Sequence, residues 1–275
     1  MIKNKKRLII ILLVVLVVTF IIIYNTFMKV RRSNNIFAIE SEKIYEENKD
    51  NLFSLDEIIV FSNAEFEDLS PEQNLQDISI HQYNDIAIKI KANNENGVNE
   101  SNTINELYID NIKIESNKEG IGEKKFNYKR YLDFAKYRDI ENNQDRIDFK
   151  ILHSNEEQVE EEYDNPTFYT DCSNPITLSL IYKNVLEHCT ATNAGSLAYD
   201  GSILKNANIN VENLEAKVSF DIHLKNNLNE EFICKVSFYI NLDGYGNSLY
   251  NGKVNTKIDA SGYKFLKITN NMKWE

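Results

Sequence analysis

Glycine and proline are scarce in this chain, nine and three among 275 residues. That excludes a collagen-like repeat and a linker-type disordered chain. Cysteine is scarce too, at Cys172, Cys189 and Cys234. An odd, small number provides no disulfide framework, so the fold has to be held by its core. Tryptophan occurs once, at Trp274, and no arginine follows Arg146. Positive charge is in deficit: the net charge is −11. The first 32 residues hold seven basic residues and no acid, so residues 33–275 carry 24 basic against 42 acidic groups, a net of −18. Such a body repels nucleic acid, whose binding needs Lys and Arg to neutralise phosphates, and no nucleic-acid partner is expected. It also repels anionic lipid or wall polymer unless cations intervene.

What is abundant is Ile, Asn, Lys and Glu, and hydrophobic residues make up 42%. That bias in codons fits an AT-rich genome such as that of a low-GC Gram-positive bacterium. The length allows one large domain, or two small ones, plus an anchor.

The anchor is read from residues 8–28, LIIILLVVLVVTFIIIYNTFM, which hold no charge. About 20 helical residues at about 1.5 Å each cross a hydrocarbon layer of about 30 Å. A cleaved signal peptide has a shorter apolar region ending in small residues. Here the run ends in Tyr24, Phe27 and Met28. Lys3, Lys5, Lys6 and Arg7 precede it, and Lys29, Arg31 and Arg32 follow it. The slight basic excess on the N-terminal side predicts a cytoplasmic amino terminus and a body outside the cell. The expected partner of residues 8–28 is therefore the lipid bilayer.

Beyond residue 55 the dominant period is two. In DIAIKIKA, Ile86, Ile88 and Ile90 share one face. AKVSFDIHL and EFICKVSFYINL alternate in the same way, separated by the turn KNNLNE. PITLSLIY and VLEHCTA read as a hairpin about Lys183-Asn184. Many short strands with turn signals predict an all-β, β-sandwich fold of immunoglobulin-like type. The acidic run EEQVEEEYDNP, residues 156–166, is read as a solvated linker, because like charges repel and stay wet. The expected organisation is thus a basic tail at 1–7, a transmembrane helix at 8–28, a juxtamembrane stalk or short helix at 29–54, and two tandem sandwiches at 55–165 and 166–275. IAIKIKA…NELYIDNIKI and FDIHLKNNLNEEFICKVSFYI could be copies of one strand–loop–strand unit.

One strand breaks the period. In ELYIDNIKIE, Leu107 and Ile109 are out of phase with Ile112 and Ile114. A hairpin at Asp110-Asn111 would leave strands of three or four residues. A β-bulge restores the phase, and predicts one bent strand crossing from one core face to another, with Asp110 a structural residue. Its Ile-Asp-Asn-Ile is similar to the closing strand of some jelly-roll carbohydrate-binding modules, but here more structure follows the strand.

Chemistry is thinly marked. His188-Cys189 are strand neighbours pointing to opposite faces, so they form no dyad with each other. An anchor, β-structure and a cysteine suggest sortases, whose Thr-Leu-x-Thr-Cys motif is replaced here by VLEHCTA, with no downstream arginine for the oxyanion. Ser202-Ile-Leu-Lys205 and Ser261-Gly-Tyr-Lys264 match the Ser-x-x-Lys of penicillin-recognising enzymes, but neither is expected on a helix and the partner motifs are absent. His81, His153, His188 and His223 show no zinc-ligand spacing and are expected to face solvent. Cys234 is expected in the core and Cys172 at the surface. No catalytic residue, cofactor or metal ligand is assigned from sequence. The expected role is a non-catalytic cell-envelope binding, adhesion or complex-subunit module with a protein or wall partner. The alternative is a wall-acting hydrolase or transferase.

Overall fold

The structure is a computed structural model describing residues 16–24, 26, 28, 41, 52–93, 97–129, 137–138, 146–153, 166–190, 197–244 and 247–268. The chain divides into two compact units, Met1–Asp50 and Asn51–Glu275. In the first, residues 16–24 are helical, with Leu16, Phe20 and Ile23 exposed. Among the described residues no helix is long and apolar enough to cross a membrane. The expected span at 8–28 falls only partly within them. Most of the stalk, residues 156–165 of the acidic run, and Trp274 lie outside the described residues.

The second unit is β-sandwich-like, with two main sheets. The first sheet runs, in spatial order, β14 (Val254–Ile258), β1 (Phe53–Asp68), β2 (Ile78–Ala92), β9 (Ile176–Cys189), β4 (Glu123–Lys129) and β5 (Tyr137–Arg138). The second runs β15 (Leu266–Lys267), β11 (Glu231–Ile240), β10 (Ala216–Asn226), β3 (Ile104–Ser116) and β6 (Arg146–Asp148). All neighbours within these sheets are antiparallel. Two small ladders also lie in the unit: β7 (Lys150–Leu152) with β8 (Thr167–Tyr169), parallel, and β12 (Asp243–Gly244) with β13 (Asn247–Ser248).

This order corrects the expectation of two tandem sandwiches divided at residue 165. β2 pairs β9, and β3 pairs β10, so each main sheet is woven from both proposed domains. It also removes the proposed repeat. β10 and β11 are hydrogen-bonded neighbours, whereas β2 and β3 belong to different sheets. The core follows the alternation: Ile86, Ile88 and Ile90 of β2 and Val218, Phe220 and Ile222 of β10 belong to one buried cluster. Phe53 of the first sheet meets Phe232 of the second edge to face, with centroids 5.3 Å apart.

The phase break in β3 is a bulge. Ser219 pairs Lys113 and Asp221 pairs Asp110, so Asn111 and Ile112 together oppose Phe220. Asn111 has φ +56°, a left-handed conformation that asparagine tolerates better than most residues. The extra residue does not carry the strand to another core, as had been expected. Ile112 and Ile114 pack on the same cluster as Leu107 and Ile109.

The hairpin expected at Lys183-Asn184 is absent. β9 continues through it as one strand, with register slips against β2 and positive φ at Asn184 and His188. The long β2 offers partners on both sides of the irregularity, so continuing the ladder satisfies more backbone groups than turning back would.

Candidate functional site

The outer face of the second sheet gathers the chain's densest set of ligand-type side chains among the described residues. Register decides who meets whom. Asp110 of β3 lies opposite Asp221 of β10, and opposite Arg146 of β6 on its other side. Asp221 in turn pairs with Lys235 of β11. The row therefore reads plus, minus, minus, plus across four strands. Two residues further along, on the same face, Tyr108 lies between His223 and Asp148.

The side chains lock together. His223 Nε2 is 3.0 Å from Asp110 Oδ1. The His223 and Tyr108 rings stack with centroids 4.3 Å apart and planes 7° from parallel. The Arg146 guanidinium sits 3.6 Å from the Tyr108 ring centroid, a cation–π contact, and donates to Asp148 through Nε and Nη2. Asn111, freed by the bulge, donates from Nδ2 to Asp221 Oδ2 at 3.1 Å. Burial pushes the Tyr108 hydroxyl above its ordinary range, with Arg146 opposing. The hydrogen bond to Asp148 raises Arg146. His223 was expected to face solvent without a partner. It does lie on the polar face, but it is stacked and bonded.

A second feature is a groove of about 660 Å³, within the range of small-ligand pockets. Its floor is formed by Phe53, Ile90, Ala92 and Cys172, and its rim carries Lys89, Lys91 and Lys264. Lys89 is 3.6 Å from Asp56. Lys91 and Lys264 have no ion-pair partner among the described residues. Ser54, Asp56, Asn93, Asp171 and Tyr263 complete the lining.

The remaining candidates separate. Cys172, expected at the surface, is buried, as are Cys189 and Cys234, and all three are free thiols. Burial pushes Cys172 and Cys234 up to about 12 and raises Cys189. A thiol so shifted is not a nucleophile at neutral pH. His81, expected at the surface, is also buried. Its Nδ1 accepts the Asn184 N–H at 2.9 Å, so its proton sits on Nε2, 3.2 Å from Glu67. It thereby satisfies a backbone donor at the irregularity in β9. His188 remains exposed beside Asp77. Ser202 and Lys205 do share a short helix, Ser202–Asn206, contrary to expectation. The Ser202 hydroxyl donates to Asp200 at 2.6 Å, and so is committed to its own turn.

Sequence reasoning missed the Asp110, Asp221 and His223 grouping because Asp110 lies about a hundred residues from the other two and meets them only through register. The one local signal was polar residues two apart, Tyr108 with Asp110 and Asp221 with His223, on the solvent side of otherwise apolar strands. Comparison with protein-family models, curated proteins and solved structures gives no match.

Proposed function

We propose that this chain is a non-catalytic binding module of the cell envelope, held by a membrane helix at residues 8–28, with its β body outside. The lysine-rimmed groove carries this reading. In a body of net charge −18, Lys89, Lys91 and Lys264 outnumber Asp56 and Asp171 around a concave apolar floor. That combination suits a ligand with an anionic group and an apolar or sugar-like face. The anchor is supported by the uncharged run itself and by the open apolar side chains of residues 16–24.

The test is co-sedimentation of the full-length chain, in mild detergent, with purified cell wall carrying its anionic polymer. Hydrogen bonds to charged groups contribute roughly 1.5–3 kcal/mol, so Lys91→Glu with Lys264→Glu should weaken binding by about tenfold or more. No wild-type binding, or equal binding by the double variant, contradicts the assignment. Turnover of the wall during the assay would instead favour the hydrolase reading.

A further inference from the structure

We propose that Asp110, Asp221 and His223 form a binding site for one divalent transition-metal ion of the zinc class. This goes beyond the function proposed above: it concerns the other sheet and holds whether or not the groove binds wall polymer.

The donor atoms are already gathered. One carboxylate oxygen from each aspartate and one ring nitrogen of His223 lie within 4.8 Å of one another. An ion with bonds of about 2.0–2.2 Å needs its ligand atoms about 3–4 Å apart. These three atoms therefore need to draw together by no more than about 1–2 Å to close around it. The bond between His223 Nε2 and Asp110 Oδ1, at 3.0 Å, marks where the ion would replace a proton.

The charge pattern points the same way. Asp110 and Asp221 face each other directly across β3 and β10. Like charges in that position repel, and a cation between them removes the penalty. Lys235 and Arg146 pair with the outer sides of Asp221 and Asp110, and the His223 imidazole reaches Asp110 from the next pair on the same face. Arg146 is further engaged by Asp148, 2.6 Å away.

The supporting contacts orient the ligands as a metal centre requires. Tyr108 fixes the plane of the His223 ring, and Arg146 holds Tyr108 from the β6 side. Asn111 occupies Oδ2 of Asp221, leaving Oδ1 for the ion. Such outer contacts set ligand geometry and strengthen binding. The bulge that lets Asn111 reach Asp221 thereby acquires a role beyond restoring the phase of β3.

The donor set selects the class. Two carboxylates and an imidazole, without a thiolate, suit Zn²⁺ or Mn²⁺. Ca²⁺ takes six to eight oxygen ligands, and Mg²⁺ keeps several waters, so neither matches a site with one nitrogen. Three protein ligands leave a coordination position for water or an exogenous group.

The test strips the full-length chain in mild detergent with a chelator and titrates it with Zn²⁺, following heat and bound metal. One equivalent should bind in the micromolar range, and millimolar Mg²⁺ or Ca²⁺ should not displace it. Asp221→Asn and His223→Gln should each lose about tenfold or more in affinity. Thermal melting of the metal-free proteins checks folding, and Asp110→Asn removes a ligand at the more exposed position should Asp221→Asn fail to fold. Absence of stoichiometric binding overturns the site, leaving His223 and Asp110 as an ion pair only. Binding that these variants leave unchanged overturns it as well, by placing the ion elsewhere, for example at His188 and Asp77.

Discussion

Replacing Phe232 with alanine is expected to destabilise the whole β unit by about 3–5 kcal/mol, the usual cost of deleting a buried aromatic ring. Phe232 is 2% exposed. Its ring meets Phe53 from the opposite sheet, and Phe53 also contacts Phe265 with centroids 6.4 Å apart. The cavity would open where the beginning and end of the unit meet. Because both main sheets draw strands from residues 55–165 and 166–275, the loss should appear as one shifted transition. Calorimetry of the full-length protein provides the check. Two transitions, with only one displaced by the substitution, would restore the tandem-domain arrangement.

A comparable loss, about 2–5 kcal/mol, is expected from Asn84→Ala, for a different reason. Ser62, Gln82 and Asn84 are polar yet buried, on the inward faces of β1 and β2. Asn84 Oδ1 accepts from the Ser62 hydroxyl at 2.7 Å and from the Gln82 amide at 2.8 Å. Its Nδ2 donates back to Gln82 Oε1 at 3.1 Å. Removing Asn84 strands the Ser62 hydroxyl and Gln82 Oε1 away from water, at about 1–3 kcal/mol for each group left unsatisfied, while Gln82 Nε2 keeps the Tyr83 carbonyl. Removing all three polar groups together strands none of them. The triple variant Ser62→Ala, Gln82→Leu, Asn84→Leu should therefore lose less stability than Asn84→Ala alone. Urea midpoints with unchanged slopes report the comparison. A triple variant weaker than the single one would contradict the network.

How far the fold could be read in advance depended on whether a feature was local. Alternation in β2, β10 and β11 is a property of neighbouring residues and was legible. So was the bulge, because Ile109 and Ile112 cannot share a face in an unbroken strand. The same phase break at Lys183-Asn184 was misread as a turn. Two asparagines, Asn111 and Asn184, adopt the same left-handed conformation within continuous strands, and asparagine marks turns and bulges alike. What separated the two readings was the length of the partner strand, which is a long-range fact. The domain division failed for the same reason. A run of acids reports solvation, but not which strands pair across it. The groove draws its lining from residues near 53, 90, 171 and 264. The Asp110, Asp221 and His223 face needs the register of two strands distant in sequence. Neither has a local signature.

Any role for the groove at the envelope requires the β body to lie outside the cell, and thiol labelling tests this directly. Val98 is 70% exposed, while the three native thiols are buried. A Val98→Cys variant in intact cells should react with a membrane-impermeant maleimide as fully before lysis as after it, with the native chain nearly silent in both. Reaction of the variant only after lysis would place the body inside and contradict the proposed role.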